Sequence, residues 1–285
     1  MFTNLKIKLA NLSEMVMFKH SIFSLPFIFI AMTIAADGWF GWKLFFLGIL
    51  AAVSARNFAM GVNRYLDRDI DALNPRTKNR PSVDGRVSNT TMLTFIVING
   101  VAFVLIAYFI NTLAFQLSFP ILLILGAYTI FKRFSSFAHI ILGLSLGLAP
   151  IAGVVAILGE ITPWSLYLAG GVVFWVAGFD LLYSLQDIEF DKEHGLHSIP
   201  SKFGAKNTMH IAKLFHTLTI VLWILFVISA NLTFFSQLAV ILSAIMLTYE
   251  HYIVNKDFSK IDKAFFTING YLGIMFLFLI ILEVL

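Results

Sequence analysis

Two short acid-rich segments hold the residues in this chain best suited to chemistry. The first runs Asn63-Arg64-Tyr65-Leu66-Asp67-Arg68-Asp69-Ile70-Asp71, and the second runs from Asp180 through Tyr183 and Asp187 to Asp191. Each follows a long apolar run and precedes a polar, basic loop. Asn63, Asp67 and Asp71 are spaced i, i+4, i+8, as are Asp187 and Asp191 over one step. Each such step turns an α-helix by about 400°, so the oxygens share one face. Asp180 sits two turns before Asp187, with Tyr183 on the same side, whereas Asp69 points away, to solvent or to Arg68. Like charges at this spacing repel, so the arrangement calls for a cation between them. Hard oxygen donors without Cys or His favour Mg²⁺, an ion that shares its shell with phosphate oxygens. The chemistry indicated is the clamping of a diphosphate and its stabilisation as a leaving group.

The elements that must position these acids are membrane spans. Of the 285 residues, 59% are hydrophobic and 13% charged, with a mean hydropathy of +0.87. That composition predicts an all-α, polytopic membrane protein rather than a soluble domain. At roughly 20 residues per span, nine helices are expected, near 21–37, 43–62, 91–111, 115–131, 137–158, 164–185, 208–230, 232–249 and 265–284. The seventh and eighth meet in a hairpin at Asn231. The first 20 residues show no cleavable signal; they suit either an interfacial amphipathic helix or a solvated tail. Lys19 and His20 read as headgroup anchors at the start of the first span. Cysteine is absent, which excludes disulfides and thiolate metal sites.

Eighteen of the twenty Lys and Arg fall at or beside the segments 1–20, 63–90, 132–136, 186–207 and 250–264. The exceptions are Lys43 and the intramembrane Arg56. The positive-inside bias therefore puts these segments, and both acid blocks, on the cytoplasmic face of a plasma or bacterial inner membrane. Four expected spans separate the blocks, and an even number returns the chain to the same side. Arg56 lies two turns before Asn63 on the same helix face. It reads either as a receptor for a substrate carboxylate or as half of a salt bridge to an acid such as Asp180. Asp180 itself is open between metal ligand, partner of Arg56 or Lys132, and base.

Taken together, the motifs resemble those of the UbiA family of intramembrane prenyltransferases. Asn63, Asp67 and Asp71 fit the family's N-x-x-x-D-x-x-x-D, and Asp187 with Asp191 fits its second D-x-x-x-D. Arg76-Thr77-Lys78-Asn79-Arg80-Pro81 is similar to its R-T-x-x-R-P segment, and Tyr128 with Lys132 to its Y-x-x-x-K. The resemblance spans essentially the whole chain, 1–285, as one membrane domain with motif loops near 63–90 and 186–207. It implies nine helices around a central cavity open to lipid, and transfer of a polyprenyl group from its diphosphate to an aromatic acid. Asn63, Asp67, Asp71, Asp187 and Asp191 would hold Mg²⁺; Arg76, Arg80, Lys132 and Arg133 would contact the diphosphate; Tyr128 and Tyr183 would face the allylic cation. The nearest likeness is to 4-hydroxybenzoate polyprenyltransferases of quinone biosynthesis. Ala55 to Met60 and Gly195 to Pro200 are similar to a menaquinone (futalosine-route) subgroup, whose acceptor is a dihydroxynaphthoate. His197 stands where the benzoate enzymes usually carry Lys, and could orient the acceptor, take its proton, or be an ordinary loop histidine.

The competing class is an ion-coupled transporter, which also groups charges at helix ends. Against it, the acids sit at span ends rather than at the midplane, and Pro26, Pro120 and Pro150 form no paired helix breaks. Five oxygen ligands exceed what an aspartyl protease dyad requires. Haem- or chlorophyll-type acceptors are compatible with the acid motifs. Neither nucleic acid nor an obligate protein partner is implied.

Overall fold

A computed structural model describes residues 2–17 and 25–284. Lys19 and His20 lie outside the described residues. Among those described, every regular element is helical. Helix α1 (Phe2–Met15) precedes α2 (Leu25–Ala35), α3 (Trp42–Leu66) and the short α4 (Arg68–Leu73); α5 (Asn89–Ile110) and α6 (Thr112–Ala127) follow. Next come α7 (Ala138–Leu158), α8 (Pro163–Ser184), the short α9 (Ile188–Glu193), α10 (Ile199–Ser229) and α11 (Phe234–Lys256). A turn of helix α12 (Ile261–Lys263) and a π-helical turn, Ala264–Ile268, lead into α13 (Asn269–Val284). Eight helices are long and apolar enough to cross a bilayer, and α2 is a ninth, shorter apolar helix. Among the described residues the expected count of nine apolar helices is thus matched, eight of them at spanning length and α2 with 11 residues.

Local chemistry sets the breaks between them. Ser88 caps α5 by accepting from the Thr91 amide at 3.2 Å. The one-residue joint between α5 and α6 is Asn111, whose Oδ1 accepts from the Ala114 amide at 2.8 Å. Its Nδ2 donates to the Val155 carbonyl at 2.7 Å, tying that hairpin to α7. Pro163 opens α8 at a position where no amide donor is needed. The hairpin between α10 and α11 turns at Asn231, in the left-handed region with φ 52°.

Three features differ from the hydropathy reading. Helix α10 is broken at Gly204 (φ 76°, ψ 168°): a short first turn from Ile199, started by the Ser198–Ser201 capping box, precedes the long helix, which begins just after Gly204, close to the expected 208. Helix α11 runs on to Lys256, beyond the apolar stretch. The segment 186–207, expected as a loop, is mostly helical. Hydropathy detects the part of a helix that lipid surrounds, whereas backbone hydrogen bonding continues past it. The N-terminal helix is not a free tail at its C-terminal end, since Met15 and Val16 are buried against Val87 and Met92.

Helix α8 is the central strut. A Cβ at Gly143 of α7 would stand 2.2 Å from the Val173 carbonyl oxygen, and one at Gly171 2.2 Å from the Trp223 indole nitrogen. Glycine at these positions lets α7 and α10 approach α8 closely. Phe27, Trp175, Trp223 and Phe276 fill the resulting core. A polar tie crosses it: Trp175 Nε1 donates to Asn269 Oδ1 and Asn269 Nδ2 to Glu250 Oε1, both at 2.7 Å. Large apolar side chains such as Leu123, Tyr108 and Ile228 remain exposed on the outer surface, where a bilayer would solvate them.

Candidate active site

The ends of α3, α6 and α8 and the starts of α7 and α10 meet at one end of the bundle. They enclose a polar cavity of about 330 Å³. Asn63, Asp67 and Asp71 from the first acid block line it together with Asp180, Tyr183, Asp187 and Asp191 from the second. Arg76, Arg80, Tyr128, Lys132 and His197 line it too. The two segments, over a hundred residues apart in sequence, therefore share one chamber.

The first block is helical on both sides of a joint at Asp67, whose φ of −91° and ψ of 4° end α3 and start α4. The Asp71 amide still bonds the Asp67 carbonyl at 2.7 Å, so the one-face spacing is kept across the joint. Asp67 is only 2% exposed. Its Oδ2 accepts from Asn63 Nδ2 and Thr129 Oγ1 at 2.8 Å each and lies 2.6 Å from Lys132 Nζ. Its Oδ1 is buried with no hydrogen-bond partner. Asp71 accepts from Arg80 Nη1 through both oxygens, at 2.8 and 2.7 Å.

The second block is joined to the first by Arg76. Its Nε and Nη2 form a fork on Asp187, at 3.2 and 2.5 Å, and its Nη1 donates to the Tyr183 hydroxyl at 3.0 Å. Burial alone would lower the Arg76 pKa. The hydrogen bond and charge of Asp187 outweigh it and raise the pKa above the ordinary arginine value. Asn74 donates to the same Asp187 Oδ1 at 3.2 Å. Asp191 accepts from Ser198 Oγ at 2.7 Å, so the cap of α10 also holds an acid of the site.

The cations bridging these acids are therefore side chains of the chain itself. Among the described residues no three His, Cys, Asp or Glu side chains converge closely enough to hold an ion. Even so, the donors suit a hard divalent cation. All are carboxylate or amide oxygens on one chamber, and Asp67 Oδ1 is a buried acceptor without a hydrogen bond.

Four expectations are met differently. Arg133 does not line the cavity; its guanidinium is forked onto Asp69 at 2.9 and 2.7 Å and donates to the Leu66 carbonyl. Asp69 is exposed to solvent, as expected, but its partner is Arg133 rather than Arg68, and that hydrogen bond lowers its pKa to about 2. Arg56 has no salt bridge to Asp180; it donates to the carbonyls of Val16 and Met17 at 3.4 and 3.2 Å. It lines a second, mostly apolar cavity of about 150 Å³, which shares Met60, Tyr128 and Leu142 with the polar one. Asp180 faces neither Arg56 nor Lys132 in an ion pair; it is held 2.7 Å from His139 Nδ1.

Sequence reasoning missed Arg64, Asn74, Thr129 and His139, all lining the polar cavity. Arg64 is 5% exposed and donates to Asn63 Oδ1 at 2.8 Å. Its position next to Asn63 was the available signal, but it counted there as one more loop cation. The other three have no spacing that sets them apart.

The UbiA prenyltransferase family profile matches residues 24–280, nearly the whole chain. The chain belongs to the UbiA prenyltransferase family. It is a multi-pass membrane prenyltransferase. A relative named 4-hydroxybenzoate octaprenyltransferase, from Vesicomyosocius okutanii, is 29% identical over 258 residues, 89% of this chain and 93% of that protein. Among solved structures, the apo UbiA homologue of Aeropyrum pernix K1 is 32% identical and superposes with a TM-score of 0.85, covering 93% of this chain and 98% of the other. A UbiA homologue of Archaeoglobus fulgidus bound to GPP and Mg²⁺ shares the fold at 20% identity, with a TM-score of 0.76 and coverage of 95% and 99%. Within this UbiA chain, the two cavities divide the surface into an ionic chamber and an apolar one that meet at Tyr128.

Proposed function

We propose that this prenyltransferase moves a polyprenyl group from polyprenyl diphosphate to an aromatic acid of quinone biosynthesis, of the 4-hydroxybenzoate or dihydroxynaphthoate type. The observation that carries this reading is the pairing of the two cavities. The ionic chamber matches a diphosphate in charge, and the adjoining apolar one, with Arg56 at its wall, matches an aromatic carboxylate. The relative named 4-hydroxybenzoate octaprenyltransferase supports an acceptor of this type.

Asn63, Asp67, Asp71, Asp187 and Asp191 would hold Mg²⁺, which when bound would offset the charge of the diphosphate and of the leaving group. Arg76, Arg80 and Lys132 would turn from the acids towards the diphosphate oxygens, Arg through two hydrogen bonds at once. Arg64 stays against Asn63 and orients its amide. Loss of diphosphate leaves an allylic cation, which the faces of Tyr128 and Tyr183 stabilise. Tyr183 is placed for this by Phe265, whose ring centroid lies 4.4 Å away. Arg56 holds the acceptor's carboxylate once Val16 and Met17 yield it, and the ring attacks. His197 is on the chamber wall, with its backbone amide donating to the Lys132 carbonyl at 2.9 Å. By the charge bias the chamber opens to the cytoplasmic face of a plasma or inner membrane.

The test offers polyprenyl diphosphate with 4-hydroxybenzoate and, side by side, 1,4-dihydroxy-6-naphthoate to membranes containing the protein. Prenylated acid and diphosphate should form together, and a chelator should stop both until Mg²⁺ is restored. Movement of labelled acid into proteoliposomes without product would instead favour a carrier. Product formation undiminished by chelation would exclude the metal.

A further inference from the structure

Electrophilic substitution on an aromatic ring releases a proton, and the acids of the two blocks are already engaged by Lys132, Arg80, Arg76 and Ser198. Among the described residues two histidines line the chamber, the exposed His197 on the loop before α10 and the buried His139, and only His139 has a carboxylate holding one ring nitrogen while the other is left unpartnered. His139, the second residue of α7, is 6% exposed and lines the polar cavity opposite Asp180 of α8. Its Nδ1 lies 2.7 Å from Asp180 Oδ2, while its Nε2 is buried with no hydrogen-bond partner. Leu142, three residues on and so on the same face of α7, lines both the polar and the apolar cavity. The ring thus lines the polar cavity, one helical turn from a residue that this cavity shares with the apolar one.

We propose that His139, oriented by Asp180, is the base that takes the ring proton of the acceptor. The proposal rests on the prenyltransferase reading above. With the Asp180 carboxylate accepting from Nδ1–H, the lone pair lies on Nε2, the unpartnered nitrogen. The prenyl C–O bond breaks with its electron pair leaving on diphosphate, and a ring electron pair forms the new C–C bond. The C–H bond at the attacked carbon then breaks, its pair restores aromaticity, and the proton passes to Nε2. The carboxylate of Asp180 stabilises the imidazolium formed, as the buried acid of a catalytic triad does. The imidazolium returns its proton to solvent when product leaves. Asp180 is thus a positioning residue, and His139 the group that meets the reacting atoms.

The experiment uses the full-length protein in membranes with each of the two acids, unlabelled and deuterated on the ring. In parallel it measures release of diphosphate from polyprenyl diphosphate without acceptor, which reports ionisation alone. His139→Ala should keep that release, lose about 10²–10⁴-fold in turnover to prenylated acid, and show a primary deuterium isotope effect that the wild type lacks. Asp180→Asn should show the same isotope effect with a smaller loss. Wild-type turnover in His139→Ala, or a loss without an isotope effect, overturns the assignment. If His139→Ala also loses acceptor-free release, Asp180→Asn decides, and absence of the isotope effect there overturns it. A wild-type protein that ionises the diphosphate yet prenylates neither acid refutes the acceptor reading instead, and the base with it.

Discussion

Asp67 concentrates the chemistry of the site, because three groups converge on one of its oxygens while the other is buried without a hydrogen bond, 3.9 Å from Arg133 Nη2. Asp67→Ala or Asp187→Ala should abolish prenyl transfer while the folded protein still accumulates in membranes; wild-type rates in both would remove the metal assignment. Arg76 makes a narrower case. Arg76→Lys keeps the charge but loses the fork on Asp187 and the bond to Tyr183, so kcat/KM for the prenyl diphosphate should fall by about tenfold. Arg56 is predicted to act on the other substrate. Arg56→Ala should raise KM for the aromatic acid by about tenfold or more, the worth of a lost charge-assisted hydrogen bond of about 1.5–3 kcal/mol. KM for the diphosphate should stay put, and a shift in that constant instead would place Arg56 in the ionic chamber.

At the scale of elements, the site depends on helices being held closer than ordinary side chains permit, and on polar ties through an apolar core. Asn269, fully buried where α13 begins, joins Trp175 of α8 to Glu250 of α11. Immediately before it comes the π-helical turn carrying Phe265 and Phe266, both on the chamber wall. Asn269→Leu is nearly isosteric but strands two buried polar partners, and should cost about 1–3 kcal/mol of stability, read as a lowered Tm in detergent. The hydropathy profile saw these helices as uniform apolar runs. Which of their few polar residues would meet was invisible in it, because Trp175, Glu250 and Asn269 sit on different helices with no common spacing.

For the whole molecule, the distribution of charge makes a prediction about orientation. Lys78, in the loop after the first acid block, and Lys43, at the start of α3, are both exposed, and the charge bias puts them on opposite sides of the membrane. Since the chain has no cysteine, Lys78→Cys and Lys43→Cys can be labelled without background. In intact cells an impermeant thiol reagent should reach Cys at 43 and not at 78, and the reverse pattern would invert the topology.

The all-helical membrane architecture was written in the sequence, and so was the grouping of the acid blocks that line one cavity; the side on which they emerge and their hold on a diphosphate are what the charge bias and the i, i+4 repeat predict. Hydrophobic length and the i, i+4 repeat are legible within one helix, and the charge bias needs only the order of segments along the chain. Partners were not legible. That Arg133 would turn outward to Asp69, that Arg56 would rest on the carbonyls of Val16 and Met17, and that Asp180 would find His139 are decided only when helices pack. Each of those pairs spans between 39 and 64 residues of chain, and a buried charge takes whichever partner the packing brings within hydrogen-bonding distance. The acid blocks could be read as one site from their spacing, whereas the base facing them required the fold.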